Sequence, residues 1–215
     1  MMDNKLSGHY FINDSNLKSE IKEFQIKLEE NNFKFKTDNG VFSKGELDFG
    51  TELLIKTVIN EKINGKVLDL GCGYGAIGIV LNKVLNVSVD MIDINKRAVH
   101  LTNLNIKENN SKDVWAFESD GFTNVKDKYN YIVSNPPIRI GKDNLYKLIQ
   151  DARNYLVDNG KMYLVIRKEQ GAKTFIKDFS SLYQIEILEK KKGFYIICLK
   201  IWNLTWLLLK YMLLI

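Results

Sequence analysis

The residues of this chain whose types could do chemistry stand at the ends of short apolar runs. Asp69-Leu70-Gly71-Cys72-Gly73-Tyr74-Gly75 closes the run that begins at Val67 and leads straight into Ile77, Val80, Leu81 and Val84, which share one face at helical spacing. Glycines at 71, 73 and 75 let a backbone approach a ligand and take positive φ. The helix that follows offers N–H groups without partners, a natural seat for a polar ligand. Asp93 ends the next apolar run, about 20 residues beyond Gly71, the position from which a carboxylate accepts hydrogen bonds from ribose hydroxyls. Ser119-Asp120-Gly121 follows a third run. The triplet is a common turn by itself, but in this order Asp120 stands where an adenine amino group would need an acceptor.

Which nucleotide such a site takes turns on charge. Gly71, Gly73 and Ala76 also satisfy a dinucleotide fingerprint. Asp69, two residues before the first glycine, would repel a pyrophosphate and attract an ammonium group. S-adenosylmethionine carries an ammonium and a sulfonium and no phosphate, so charge complementarity favours it as the cofactor. The fourth run ends in Val133-Ser134-Asn135-Pro136-Pro137-Ile138. Two prolines stiffen that loop and remove two backbone donors, leaving carbonyl oxygens and the Asn135 side chain. The Asn135 oxygen and the Pro136 carbonyl can each accept one N–H of an exocyclic amine and hold its nitrogen in line with a sulfonium methyl. Orientation and electrostatics then carry the rate, without a strong base.

The elements that must position these residues follow from periodicity. Phe24, Ile26 and Leu28, then Phe33 and Phe35, alternate with polar residues and read as a β-hairpin with one buried face. Thr37 to Gly45 reads as loop, with Asn39-Gly40 as a turn. A helix is expected from Thr51, as its cap, to about Glu61. Strands are expected at Val67–Leu70, Val87–Ile92, Val114–Phe117, Tyr131–Val133 and Met162–Ile166. Helices are expected after Gly75, from the Asn95 cap to Asn109, from Leu145 to a stop before Gly160, and along the stripe Ala172 to Leu182. Ile185–Leu188 and Phe194–Leu199 are close enough to form a hairpin around Lys192-Gly193, so one strand should run antiparallel. The expected class is α/β: a doubly wound, mostly parallel, Rossmann-like sheet with one antiparallel strand, plus the N-terminal β-hairpin. Residues 1–50 then form a hairpin and loop extension packed on the domain, 51–200 the catalytic domain, and 201–215 an appended tail, apolar except for Asn203, Thr205 and Lys210. That tail is shorter than a membrane span requires.

Composition narrows the setting. The 215 residues are 45% hydrophobic and 27% charged, which excludes a wholly disordered chain. Cys72 and Cys198 alone exclude a disulfide framework and a multi-cysteine zinc site, and point to a reduced, cytoplasmic home. His9 and His100 are isolated, and no metal is expected. The start, Met-Met-Asp-Asn-Lys, carries no apolar run and suggests no signal peptide. A net charge of +5 suits a polyanionic partner without demanding one.

Asp69 to Gly75, Asp93, Asp120 and Asn135-Pro136-Pro137 together resemble a class I S-adenosylmethionine-dependent methyltransferase of the amino-methylating kind. Asn39-Gly40-Val41-Phe42-Ser43-Lys44, with Asp48-Phe49-Gly50-Thr51, resembles the ribosomal RNA small-subunit guanine-N2 methyltransferase family, RsmC. His9-Tyr10-Phe11 and the run Asn135 to Lys142 are similar to its small single-domain bacterial members. The resemblance covers about residues 8 to 200. It implies a seven-stranded sheet with the last strand antiparallel, a cofactor held by Asp69, Gly71, Gly73, Gly75, Asp93 and Asp120, and a guanine of 16S ribosomal RNA presented to Asn135, Pro136, Pro137 and Ile138. The partner is then RNA rather than DNA or a membrane. Two departures stand out. The full-length RNA enzymes carry an extra, degenerate methyltransferase-like half. Ile138 also stands where an aromatic usually stacks on the base, a contact worth roughly 1–3 kcal/mol. Phe42 offers a substitute cover. Arg139, Lys142, Arg167, Lys168 and Lys190 to Lys192 could meet phosphates. The alternatives are a protein glutamine methyltransferase, whose members place Tyr where Ile138 stands, and a non-catalytic RNA-binding module of the same fold.

Overall fold

The computed structural model describes residues 18–41, 45–136 and 140–202. A two-stranded hairpin, β1 (Lys22–Leu28) and β2 (Asn31–Thr37), precedes the helix α1 (Phe49–Asn60). Strands and helices then alternate: β3 (Val67–Leu70), α2 (Ala76–Leu85), β4 (Val89–Asp93), α3 (Lys96–Glu108), β5 (Val114–Glu118) and β6 (Tyr129–Ser134). They continue with α4 (Lys142–Ala152), β7 (Leu156–Arg167), α5 (Ala172–Phe179), β8 (Tyr183–Lys191) and β9 (Phe194–Ile201). The seven strands β3 to β9 form one sheet in the order β5-β4-β3-β6-β7-β9-β8. β3 to β7 are mutually parallel, and β9 runs antiparallel to both β7 and β8. The expected doubly wound sheet with an antiparallel final strand is therefore present.

Strand alternation sends successive side chains to opposite faces, and both faces are covered. Val67, Met91, Val133, Tyr163 and Ile196 join the core under α1, α2 and α3. Leu68, Ile132, Met162, Leu164 and Leu199 join the core under α4 and α5. The strand order reverses between β3 and β6, so the carboxyl ends of these two neighbours frame a crevice at the switch point.

The hairpin packs through Leu28, Phe33 and Phe35, all buried, against the first of these cores. Its outer edge is closed by side chains rather than by a strand. Asn105 of α3 accepts from the Lys36 N–H at 2.8 Å and donates to the Lys36 carbonyl at 2.9 Å. Asn109, one turn on, does the same for Lys34 at 3.0 and 2.7 Å. Two amides thus stand in for a neighbouring strand and satisfy backbone groups that burial would otherwise leave unpaired. Asn105 also donates to the Tyr74 carbonyl at 2.8 Å, and the Tyr74 ring packs edge-on to Phe24 and Phe35. The hairpin is thereby clamped to the glycine-rich turn.

Several boundaries differ from the sequence reading. α1 is capped by Asp48, whose carboxylate accepts from the N–H groups of Gly50 and Thr51, while Thr51 is already helical. Both residue types cap well, and the earlier one in the chain takes the role. The helix expected to run to Gly160 stops at Ala152; Gly160 lies within β7, where the register against β6 shifts between Tyr129 and Tyr131. α5 ends at Phe179 rather than near Leu182, and β4 starts two residues later than expected. Phe42, Pro137, Ile138, Arg139 and residues 203–215 of the apolar tail lie outside the described residues. No helix among the described residues is long and apolar enough to cross a membrane.

Replacing Asn105 by Ala should destabilise the fold by about 1–3 kcal/mol, because the part-buried Lys36 backbone groups lose their partners. Asn103→Ala, on the exposed side of the same helix, should stay within about 0.5 kcal/mol. Urea titrations of the two variants check this; equal effects would show that the paired amides contribute nothing special.

Candidate active site

The turn after β3 is built by backbone hydrogen bonds. The N–H groups of Gly71 and Cys72 both donate to the Ile92 carbonyl at 2.9 Å, and Gly75 N–H donates to Cys72 O at 2.9 Å. Gly73 sits at φ 58°, and a Cβ built there meets nothing within 4 Å. Its backbone is therefore bare toward open space, as a ligand-facing turn requires. Gly78, in α2, serves the opposite purpose. A Cβ there would lie 2.3 Å from the Met91 sulfur, so its absence lets α2 press onto β4.

Asp69 is fully buried. One carboxylate oxygen, Oδ2, accepts from the Gly78 N–H at 2.9 Å, and Oδ1 is buried without a hydrogen-bond partner. Burial pushes its carboxyl up to about 7; the Gly78 N–H opposes that shift and the charge of Asp93 adds to it. Asp69 thus ties the strand end to the helix through one oxygen and leaves the other without a hydrogen-bond partner. Asp93 Oδ2 accepts from Gly73 N–H at 2.9 Å and Oδ1 from Asn95 N–H at 2.8 Å. Burial raises the Asp93 carboxyl as well, against the pull of these N–H donors. A carboxylate has about four lone-pair sites, so two remain to accept hydroxyl protons. Asn95 caps α3 through the Arg97 N–H and donates to the Gly40 carbonyl at 2.9 Å, which brings the loop after β2 to the same crevice. The Ser119 N–H donates to the Asp93 carbonyl at 3.0 Å, and this sets the Asp120 turn beside Asp93 with its carboxylate exposed.

The loop after β6 joins the same place. Ser134 Oγ donates to the Leu70 carbonyl at 2.6 Å, pinning the end of β6 to the start of the glycine turn. Asn135 follows, half-buried, and Pro136 is buried. The Asn135 Nδ2 donates to Thr51 Oγ1 at 2.8 Å, and Thr51 Oγ1 donates to Asp48 Oδ2. The structure therefore gathers Asp69, Gly71, Gly73, Gly75, Asp93, Asp120, Asn135 and Pro136 at one end of the sheet. Asp48 and Thr51 are partners in this constellation that the sequence reading did not place there; a carboxylate three residues before a hydroxyl, next to the first helical turn, was the available signal.

Beside this loop lies a cationic, aromatic rim. Phe194 packs on Phe49 with centroids 5.5 Å apart and lies so close to Gly50 that a Cβ there would come within 2.6 Å of the ring. The Arg167 guanidinium covers Phe194 at 4.5 Å, Lys192 covers Phe49 at 4.6 Å and Lys190 covers Tyr195 at 5.1 Å. Lys142 is engaged elsewhere, with Asp178 at 3.4 Å and over the Tyr146 ring. Burial pushes the Cys72 thiol well up, so it is no nucleophile at neutral pH. No group of three or more His, Cys, Asp or Glu side chains among the described residues is placed to hold a metal ion.

A doubly wound sheet with this glycine turn, two acidic strand ends and an Asn-Pro loop defines a class I S-adenosylmethionine-dependent methyltransferase. The methyltransferase small domain family matches residues 32–198, and the chain belongs to that family. It is 38% identical over 196 residues to YbxB, an uncharacterized protein of Bacillus subtilis (strain 168), covering 89% of this chain and 98% of that one. It is 37% identical over 153 residues to the ribosomal RNA small subunit methyltransferase C of Psychromonas ingrahamii, covering 69% of this chain and 43% of that protein. The chain thus spans less than half the length of that relative. Among solved structures, the T. thermophilus 16S rRNA N2 G1207 methyltransferase (RsmC), in complex with AdoMet and guanosine, shares the fold with a TM-score of 0.73 at 21% identity, over 85% of this chain and 51% of that one.

The raised Asp69 carboxyl gives a pH signature. Its folded value, about 7, lies above the ordinary unfolded value of about 3.9, so the folded protein holds a proton that the unfolded chain releases between these limits. Stability from this group is full at the acidic end and is lost as pH rises toward 7. Asp69→Asn keeps the acceptor for Gly78 and cannot ionise. Its melting temperature relative to the parent should therefore climb between pH 5 and pH 8; thermal melts in which the gap stays constant would refute the assignment.

Proposed function

We propose that this chain transfers a methyl group from S-adenosylmethionine to an exocyclic amine, and that the amine is N2 of a guanine in small-subunit ribosomal RNA. The observation that carries this reading is the joining of the Asn135-Pro136 loop to the glycine turn through Ser134 and Leu70. An amine acceptor pair and a cofactor crevice then share one end of the sheet. The bare backbone at Gly73, the spare lone pairs of Asp93 and the unpartnered buried oxygen of Asp69 fit a cationic nucleoside. In this reading Gly71, Gly73 and Gly75 cradle it, Asp93 accepts from its ribose hydroxyls, and Asp120 accepts from its adenine amine. The cofactor supplies an electrophilic methyl on a sulfonium.

Asn135 Oδ1 and the Pro136 carbonyl accept the two N–H bonds of the target amine. Their hold strengthens as positive charge grows on the attacking nitrogen, which lowers the barrier without a general base. In the sequence Pro137 and Ile138 follow, and Ile138 is aliphatic where the resemblance leads one to expect an aromatic. The names of the RsmC relatives support ribosomal RNA as substrate. So does the rim, where Arg167, Lys168, Lys190, Lys191 and Lys192 have no carboxylate partner among the described residues. Cations without carboxylate partners beside the Asn135 loop suit RNA phosphates. Such a substrate sets the protein in the cytoplasm.

Labelled cofactor, purified protein and small-subunit RNA test the proposal. Asn135→Ala should lose methyl transfer while cofactor affinity stays near the parental value, and Asn135→Asp, which keeps an acceptor, should lie between. Label appearing on protein glutamine instead of RNA, or parental turnover by Asn135→Ala, would sink it.

The rim makes a separate prediction. Reversing Lys190, Lys191 and Lys192 to Glu should raise the KM for RNA by at least about tenfold at low salt, with little change in kcat, because each lost phosphate contact weakens binding uniformly. An unchanged KM would remove the rim from the substrate path.

A further inference from the structure

We infer that Asp48 and Thr51 are positioning residues that fix which way round the Asn135 side-chain amide sits. The inference rests on the reading of Asn135 as the acceptor for the target amine. An asparagine amide has a donor end and an acceptor end of nearly the same shape, and turning it over would present two N–H groups to an amine that itself needs acceptors. The chain therefore needs a device that tells the two ends apart.

The hydrogen bonds on this loop supply one. Asp48 Oδ1 accepts from the N–H groups of Gly50 at 3.1 Å and Thr51 at 3.2 Å, and Oδ2 accepts the Thr51 hydroxyl proton. An ionised carboxylate only accepts, so that proton is committed. The Thr51 oxygen has lone pairs left and no proton to give. The one group of Asn135 it can bind is the NH₂, and Nδ2 lies 2.8 Å away. Oδ1 receives no hydrogen bond from the described residues and is left for a ligand. The relay is also rigid. Thr51 is held in the first turn of α1, and that turn is pressed against β9 by Phe194 over Gly50. Polarity thus runs one way, from a carboxylate through a hydroxyl to an amide, across 84 residues of sequence.

Three substitutions separate this from a structural role. Thr51→Val keeps shape and removes the hydroxyl. Thr51→Ser restores it. Asp48→Asn still caps the helix, since Asn and Asp cap about equally well. Its amide, however, can donate to the Thr51 oxygen and free the hydroxyl proton to seek Asn135 Oδ1. Two readouts are used: the exchange rate of the Asn135 side-chain NH₂ by NMR, and kcat for methylation of small-subunit RNA beside cofactor affinity. In Thr51→Val the NH₂ should exchange faster and kcat should fall about tenfold to a hundredfold, the scale of a misplaced reacting group, with cofactor affinity unchanged. Thr51→Ser should recover both. Asp48→Asn should melt at the parental temperature yet lose NH₂ protection and kcat. Parental NH₂ exchange in Thr51→Val, or a serine variant no better than valine, overturns the relay. Absence of RNA methylation by the parent chain counts against the substrate instead, and the NH₂ readout still decides the relay.

Discussion

The hydrogen bond from the Gly78 N–H to the buried Asp69 carboxylate is the constraint from which the site follows. It ties the end of a strand to the first turn of a helix, so the chain between them must double back within a few residues. Only a backbone with little side-chain bulk does that, which is why glycines occupy 71, 73 and 75. The same bond requires α2 to lie almost on the sheet, and Gly78 against Met91 permits it. Once the turn is set, the Ile92 carbonyl captures Gly71 and Cys72, β4 ends at Asp93, and Ser134 reaches Leu70 from the other side. Three strand ends, those of β3, β4 and β6, are placed by contacts that all refer back to one turn.

Much of this was legible in the sequence because it is local. Val67 to Leu70 followed by glycines and a helical stripe announces a strand, turn and helix, and the repetition of that unit announces a parallel sheet. Asp93 and Asn135 were readable because strand ends in such a sheet face one crevice. What could not be read depends on contacts between distant segments. Asn105 and Asn109 look like solvated helix residues; only the docked hairpin turns their amides into a substitute strand for Lys34 and Lys36. That Asp69 is buried against the Gly78 N–H depends on how α2 packs on the sheet. Thr51 looked like a cap because its hydroxyl suits one. Asp48 takes the cap, and the Thr51 hydroxyl donates to Asp48 and accepts from Asn135. Gly160 looked like a helix stop, since the sequence does not distinguish a C-cap glycine from one at a strand irregularity.

The hairpin links structure to site in a way its sequence alone conceals. Phe24 and Phe35 pack on Tyr74, and Asn105 holds the Tyr74 carbonyl while it closes the β2 edge. The residue between Gly73 and Gly75 is thereby gripped from outside the sheet. A flexible glycine turn loses conformational entropy on binding a ligand; a turn already clamped by a hairpin and a helix has lost it on folding. The Gly40 carbonyl, held by Asn95 beside Asp93, continues that clamp to the crevice mouth.

Electrostatics then favour one kind of ligand. Asp69 and Asp93 are both raised by burial, and the charge of Asp93 adds to the shift at Asp69. Neither has a lysine or arginine partner within ion-pair distance among the described residues, although paired cations are common elsewhere on the surface. Two carboxylates facing one bare turn, with no protein cation to balance them, are poorly stabilised when the crevice holds water alone. A ligand bearing positive charge removes that penalty on entering, whereas a pyrophosphate would add to it. The protein's own cations gather instead on the rim, where Arg167, Lys190 and Lys192 lie over aromatic rings. Charge is sorted by position, with negative groups at the glycine turn and positive groups on the rim, an arrangement that the proposed function assigns to a cationic cofactor and a polyanionic substrate on either side of Asn135.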